Sequence, residues 1–331
     1  MKKNASPAIS GPEDIITAAS GYQRSRLILT GFELNVWSAI GGESLSGEDV
    51  AARIGADTRG TERLCNALCA IGLMEKRNGR YSNTPLSSRY LVKDSEEYLS
   101  RIGHMLNLYR TWGTLTEAVR KGTSVTAREY DEFSLAHFIE AMHHRAKKTA
   151  DELVSHIDLQ GVGRILDVGG GSGVYSMAFV RRKLDIRAVV FDLPEVIPLT
   201  RRYIGESGLG ERIDVMKGDY NRDDFGSGYD LVFLSAIIHI NSPEGNRRLI
   251  RRAFESLNPG GRIVIQDHII EEDRTSPPRG VIFAINMLVN TPGGDSYTES
   301  EMREWLLDSG CGRVERIATG MENDLMVGWR G

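Results

Sequence analysis

Two residues of this chain, His239 and Asp267, have the type and placing to move a proton. His239 directly follows the apolar run Leu231-Val232-Phe233-Leu234-Ser235-Ala236-Ile237-Ile238, which reads as a buried strand, so the imidazole should emerge at one edge of a sheet. An imidazole there can accept a proton from a hydroxyl near neutral pH. Asp267 closes a second apolar run, Ile263-Val264-Ile265-Gln266-Asp267. If the two runs are adjacent parallel strands they lie about 4.8 Å apart, so the carboxylate can approach the ring, orient it and stabilise its protonated form. A packed strand-end histidine is the competing reading.

A glycine loop supplies the second chemistry. Ile165-Leu166-Asp167-Val168-Gly169-Gly170-Gly171-Ser172-Gly173 puts a glycine cluster directly after a strand and before a helix that begins near Val174. Glycines permit the sharp turn and let a ligand reach the backbone closely. Asp192 follows at the end of the next strand, where a ribose-binding carboxylate is expected. The spacing G-G-G-S-G departs from the G-x-G-x-x-G of dinucleotide binders. Asp167, just before the glycines, suits a cationic ligand, and S-adenosylmethionine carries a sulfonium and an ammonium without a pyrophosphate. Asp219, in Lys217-Gly218-Asp219-Tyr220, adds a third acid at the carboxyl end of a strand, which is where open α/β sheets bind ligands.

The elements that must position these groups follow from periodicity. From Arg164 onward short apolar strands alternate with helices, the pattern of βαβ units and a parallel sheet. Strands are predicted at Arg164 to Val168, Arg187 to Asp192, Ile213 to Lys217, Tyr229 to Ser235 or beyond, and Arg262 to Gln266. Val314 to Ala318 and Leu325 to Trp329 should form an antiparallel pair completing the sheet.

Ahead of it, after a disordered-looking start to about Pro12, Glu13 to Ile40 reads as two helices. Ser46-Gly47-Glu48-Asp49 is a capping box that opens a helix ending at Gly55. Another helix runs from Thr58 to near Gly72, and Asn78-Gly79 is the turn of a hairpin. Helix, turn, helix and hairpin make a winged helix. Ser95 to about His156 is helical again and bridges the two parts. The predicted division is 12–94, 95–156 and 157–331.

The 331 residues, a formal charge of −4 and the lack of a dense basic run leave no electrostatic footprint for nucleic acid. Glu62 beside Arg59 and Arg63, and Glu75 in the wing, weaken a DNA-binding reading further. Cys65, Cys69 and Cys311 are too few and scattered for a disulfide framework, and His143 and His144 point to different helix faces, so no metal site is expected. No apolar stretch reaches the ~20 residues of a membrane span, and Met1-Lys2-Lys3-Asn4 leads into polar residues rather than a secretory signal. A cytoplasmic enzyme without a membrane partner is the expectation.

With these motifs assembled, the chain resembles the class I S-adenosylmethionine-dependent methyltransferases, specifically the caffeic acid and acetylserotonin-type O-methyltransferase family. The resemblance covers almost the whole chain. D-V-G-G-G-S-G (Asp167 to Gly173), F-D-L-P (Phe191 to Pro194), G-D-Y (Gly218 to Tyr220), N-P-G-G-R (Asn258 to Arg262) and T-P-G-G (Thr291 to Gly294) fall in family order, as does Asn83-Thr84-Pro85-Leu86. It implies a doubly wound Rossmann-like sheet behind an all-α winged-helix domain that dimerises and does not bind DNA.

The resemblance also assigns roles. Asp167 and the loop of Gly169, Gly170, Gly171 and Gly173 would hold the methionine part of S-adenosylmethionine. Asp192, with Leu193 beside it, would take the ribose, Asp219 with Tyr220 would frame the adenine, and Ser235 stands where plant members have a lysine. His239 matches the family's base and Asp267 takes the place of a glutamate. A second glutamate is Ser296 here, Asn241 replaces a tryptophan and Ile240 an aspartate. Met142, Asn286, Met287 and Asn290 match positions that line the acceptor pocket. Methyl transfer needs the nucleophile aligned behind the methyl group and its proton removed. O-methylation of a small aromatic hydroxyl compound is therefore expected. C- or N-methylation, or a member that keeps the cofactor and acts as a hydroxylase or cyclisation catalyst, are the alternatives.

Overall fold

The computed structural model describes residues 9–126 and 132–331, and the contacts divide the chain after Tyr109 into two units. The predicted disordered start therefore lies mostly outside the described residues.

In the first unit the stretch read as two helices forms three, Pro12–Ser20, Tyr22–Glu33 and Val36–Ile40. The second break comes at Asn35, whose left-handed φ of 54° no helix continues through. The capping box forms, with Ser46 Oγ accepting from the Asp49 N–H at 3.1 Å and the Asp49 carboxylate accepting from the Ser46 N–H at 3.2 Å. It starts helix Gly47–Ile54, which packs beside Thr58–Ala70. Strands β1 (Met74–Arg77) and β2 (Arg80–Asn83) form the hairpin, and Asn78 and Gly79 both adopt positive φ as the two-residue turn requires. Trp37, Val50, Cys65, Leu68 and Tyr81 are buried at its centre. Helix Pro12–Ser20 buries none of its residues, and Ile15 and Ile16 stay 57% and 68% exposed.

The second unit is built on a seven-stranded sheet. Strands β3 (Arg164–Val168), β4 (Arg187–Asp192), β5 (Ile213–Lys217), β6 (Tyr229–Ser235) and β7 (Leu257–Asp267) run parallel. A short pair, β8 (Ile269–Ile270) and β9 (Tyr297–Thr298), lies outside it, and β10 (Arg313–Ile317) and β11 (Asp324–Trp329) close it antiparallel. The spatial order is β10-β11-β7-β6-β3-β4-β5. The chain leaves β3 toward β4 and β5, then returns to place β6 and β7 on the other side, so the order reverses between β3 and β6, where such sheets bind ligands.

Strand side chains alternate between two cores. Leu166, Val232 and Leu234 pack with helices Pro243–Ser256 and Glu299–Ser309, while Ile165, Leu231 and Phe233 pack with Val174–Arg182 and Ala150–Ser155. Helices thus cover both faces, which is the doubly wound arrangement. β7 starts five positions earlier than the predicted Arg262 because Leu257 pairs with Tyr229 of β6 across a register shift; the Gly260 N–H donates to the Arg330 carbonyl and the Gly261 carbonyl accepts from the Arg330 N–H, holding the glycine turn beside it.

Candidate active site

β3 delivers the glycine loop to the switch point. Gly169 has a φ of 68°, and a Cβ there would lie 2.6 Å from Ile237 Cδ1, so the sharp turn and the close packing both demand glycine. Asp167, inside β3, is almost fully buried. Its Oδ2 accepts from Ser176 Oγ at 2.7 Å, and its Oδ1 is buried with no partner. Burial pushes this carboxyl up to about 7. A buried carboxylate oxygen lacking a donor is costly, and a cationic group beside it would remove that cost.

Asp192, at the end of β4, accepts from the Gly171 N–H at 2.7 Å and the Leu193 N–H at 2.8 Å. Burial raises its pKa against those two bonds. The acid therefore ties the glycine loop to the adjacent strand, with lone pairs left for a ligand. Asp219 follows β5 and accepts from the backbone and side-chain amides of Asn221. Tyr220 donates from its hydroxyl to Asn241 Oδ1 at 2.9 Å, which links this loop to the segment after β6. Ser235, the last residue of β6, donates to Gln266 Oε1.

His239 is not at a strand end. β6 stops at Ser235, Ala236 takes a left-handed φ of 53°, and His239 sits in the 3₁₀ turn Ile238–Ile240. The turn sends the ring over the end of β7, where its Nδ1 lies 2.9 Å from both Asp267 carboxylate oxygens. The His239 side chain is 13% exposed and Asp267 2%. Asp267 also accepts from the His268 N–H at 2.8 Å. Burial alone would raise the Asp267 carboxyl; the charge and hydrogen bond of His239, together with His268, hold it below its usual range. With Nδ1 committed to the acid, Nε2 is the nitrogen free to exchange a proton.

Three further contacts fix the imidazole. The Phe283 ring meets it edge-on, with centroids 4.8 Å apart. The Asp295 N–H donates to the His239 carbonyl at 3.1 Å. Gly294 packs so closely on that carbonyl that a Cβ would collide with it. Ser296 does not reach the histidine: its hydroxyl donates to the Gly280 carbonyl at 2.8 Å. Asn241 turns away from the ring to bind Tyr220 and Asn246, and its carbonyl accepts from the Tyr297 hydroxyl. Phe283, His268 and Gln266 were not singled out in the sequence. Phe283 was within reach of it, standing three residues before Asn286 and seven before Asn290, the spacing of one helix face.

Met142 lies on helix Glu132–Lys147, and Asn286, Met287 and Asn290 on Pro278–Asn290. Met287 is buried. Asn286 Oδ1 accepts from the Trp112 indole at 2.9 Å, and Asn290 borders a cavity of about 390 Å³ that Ile240 also lines. His143, next to Met142, is hydrogen-bonded to Ser172 Oγ of the glycine loop at 2.9 Å and stacks on Tyr203, with centroids 4.2 Å apart. Among the described residues, no group of three or more His, Cys, Asp or Glu could hold a metal ion, and no helix is long and apolar enough to cross a membrane.

Residues 112–311 match the model of the O-methyltransferase domain, and residues 16–93 that of the O-methyltransferase dimerisation domain. This chain belongs to the O-methyltransferase family. It is 31% identical over 333 residues to a 3-hydroxy-5-methyl-1-naphthoate 3-O-methyltransferase of Streptomyces sahachiroi, covering 97% of this chain and 96% of that protein. Human N-acetylserotonin methyltransferase, solved with SAM, superposes with a TM-score of 0.79 at 26% identity over 99% of this chain and all of that one. PigF, solved with SAH, gives 0.86 at 25% identity over 97% and 100%.

The enzyme is an S-adenosylmethionine-dependent O-methyltransferase. Its own residues fit the donor: Asp167 Oδ1 is a buried acceptor without a partner, which a cationic group would satisfy, and the glycines of the loop after β3 leave its backbone open to close approach. Ser235 donates its hydroxyl hydrogen to Gln266, so toward a ligand its oxygen can only accept.

Proposed function

We propose that this methyltransferase acts on a hydroxyl group of a small aromatic compound, with His239 as the general base. The observation that carries the reading is the pairing of His239 Nδ1 with both oxygens of buried Asp267. A base held this way keeps its ring orientation, presents Nε2, and gains a counter-charge once protonated. When bound, S-adenosylmethionine supplies a methyl group activated by a positive sulfur. The protein's part is to align the acceptor hydroxyl, remove its proton through His239 and keep water out. Phe283, Met142 and Met287 offer aromatic and polarisable surface suited to a ring system. The naphthoate acceptor in the relative's name supports the same class.

In this reading Asp167 and Gly169 to Gly173 hold the amino-acid end of the donor, Asp192 with Leu193 the ribose, and Asp219 with Tyr220 the adenine. Asn286 and Asn290 supply polar contacts to the acceptor. Residues 12–94 serve dimerisation, 95–156 bridge, and 157–331 carry the catalytic domain. A homodimer through the N-terminal unit covers Ile15 and Ile16, and free Cys65, Cys69 and Cys311 accord with a reducing cytoplasm.

Incubation with S-adenosylmethionine and a panel of hydroxyaromatic compounds tests the reading. Release of S-adenosylhomocysteine with an O-linked methyl group in the product, located by NMR, is the expected result. Methyl attachment to carbon or nitrogen would overturn it.

A further inference from the structure

The two acids that hold His239 stand at matching positions of one small ladder. β8 pairs with β9 in parallel, Ile269 opposite Tyr297 and Ile270 opposite Thr298. Asp267 and Asp295 each lie two residues ahead of the first of those pairs. Asp267 holds the imidazole through its carboxylate, and Asp295 holds the His239 carbonyl through its N–H at 3.1 Å. The separation of the two chains at this ladder therefore sets the hold on the ring against the hold on the backbone. A ladder two pairs long fixes that separation poorly by itself.

Arg274 closes it from outside. Beyond β8 the chain turns back at Arg274, which has a left-handed φ of 58° and donates its N–H to the Glu271 carbonyl at 2.8 Å. Its guanidinium reaches both sides of β9. One nitrogen lies 3.3 Å from Asp295 Oδ2 and 3.3 Å from the Ser296 carbonyl, and the other lies 2.6 Å from Glu301 Oε1. The second oxygen of Asp295 accepts from the Ser296 N–H at 2.8 Å, and that of Glu301 accepts from the Thr298 N–H at 2.8 Å, in the capping box of helix Glu299–Ser309. A rigid, planar fork can serve three acceptors in this way, where a single ammonium acts as a point charge. The Arg274 side chain is 43% exposed, so its ion pairs add little to the stability of the fold.

We propose that Arg274 is a positioning residue for His239. By clamping Asp295 and Glu301 across the end of the β8–β9 ladder, it keeps the Asp295 N–H on the His239 carbonyl and so keeps the ring seated on Asp267. It touches neither the imidazole nor the donor loop. The inference rests on the reading of His239 as the base and adds the group that holds the base in register.

The test uses the full-length enzyme loaded with S-adenosylhomocysteine, and naphthol as the acceptor probe. An ionised Asp267 can only accept, so His239 Nδ1 carries a proton toward it, and that proton gives a low-field NMR signal assigned by its loss in His239→Ala. In Arg274→Ala this proton should exchange with water at least about threefold faster, because the turn opens more often. Turnover of naphthol should fall about three- to thirtyfold, since displacing a reacting group by about 1 Å can cost about 10²-fold. Affinity for S-adenosylhomocysteine should stay within about twofold of the wild type and the thermal midpoint within about 3 °C, because exposed ion pairs contribute little. Arg274→Lys should recover part of the turnover. Asp295→Ala keeps the N–H and removes the carboxylate, so it should repeat the loss and carries the test if Arg274→Ala does not fold. In a His239→Ala background Arg274→Ala should cost nothing further, because it acts only through that residue.

Unaltered proton exchange and turnover in Arg274→Ala overturn the inference. So does a loss that multiplies with that of His239→Ala, or one that comes with weaker S-adenosylhomocysteine binding; in each case the base reading stands. If His239→Ala itself turns over near the wild-type rate, the base reading fails and this inference with it. Should the wild type not methylate naphthol, the exchange rate of the Nδ1 proton decides the inference alone.

Discussion

Asp267 holds His239 with both carboxylate oxygens, each 2.9 Å from Nδ1, and the pair lies at the junction of β7 and the turn after β6. His239→Ala should lower turnover by about 10²–10⁴-fold while leaving S-adenosylhomocysteine affinity in place, since other residues hold the donor. Asp267→Asn should lose less, and the double variant no more than His239→Ala, because the two act as a unit. Steady-state kinetics with calorimetry decides this, and independent, multiplying losses would separate the two residues.

Asp192 links the glycine loop to β4 through the Gly171 N–H. If Asp192 takes the ribose as proposed, Asp192→Ala should weaken S-adenosylhomocysteine by about tenfold or more, because the ribose hydroxyls and that N–H all lose an acceptor. Calorimetry that finds the affinity unaltered would remove Asp192 from the donor site.

Gly294 touches the His239 carbonyl, so a methyl group there must displace the turn that carries His239. Gly294→Ala should cost about 1–3 kcal/mol of stability from overpacking and lower kcat more than it raises the KM for the donor. A variant with wild-type kcat would show that the turn relaxes without moving the imidazole.

Stability should depend on pH through His143. Burial lowers its pKa to about 4 from an ordinary 6.5, so between those values the unfolded chain binds the proton that the folded protein excludes. His143 therefore costs nothing above about 6.5 and destabilises progressively as pH falls toward 4. Thermal unfolding midpoints of the wild type should decline over that window, and His143→Phe, which keeps a ring against Tyr203, should decline less. Parallel curves for the two proteins would rule out His143 as the group responsible.

Ile15 and Ile16 lie exposed on a helix that buries none of its own residues. If a second copy covers them, the paired substitution Ile15→Glu and Ile16→Glu should convert a dimer to monomer in light scattering at micromolar concentration. A wild-type monomer at that concentration would contradict the homodimer.

Much of this protein was legible along the chain because its signals are local. The glycine cluster after an apolar strand, the Ser46 capping box and the Asn78-Gly79 turn each act within a few residues, through backbone freedom or a short hydrogen bond. The alternation of short apolar strands with helices pointed to the parallel sheet, and the family order of five motifs pointed to the donor and to O-methylation, with carbon or nitrogen attachment and a non-methylating member as the alternatives. The strand boundaries were less legible where pairing is distant: β7 begins at Leu257 because that residue pairs with Tyr229 of β6, and Arg330, far along the chain, bonds the glycine turn that follows.

The finer construction of the site belongs to tertiary structure alone. Ala236 bends the chain out of β6 with a backbone angle that no residue type announces, and this brings His239 onto Asp267. Phe283, Gly294 and Asp295 then fix the imidazole from segments more than forty residues downstream, and Trp112 sets the amide direction of Asn286 from far upstream. Periodicity reports which face a residue occupies. The partner it meets there depends on which elements the folded chain packs side by side, and that is decided only when the sheet and its helices close on one another.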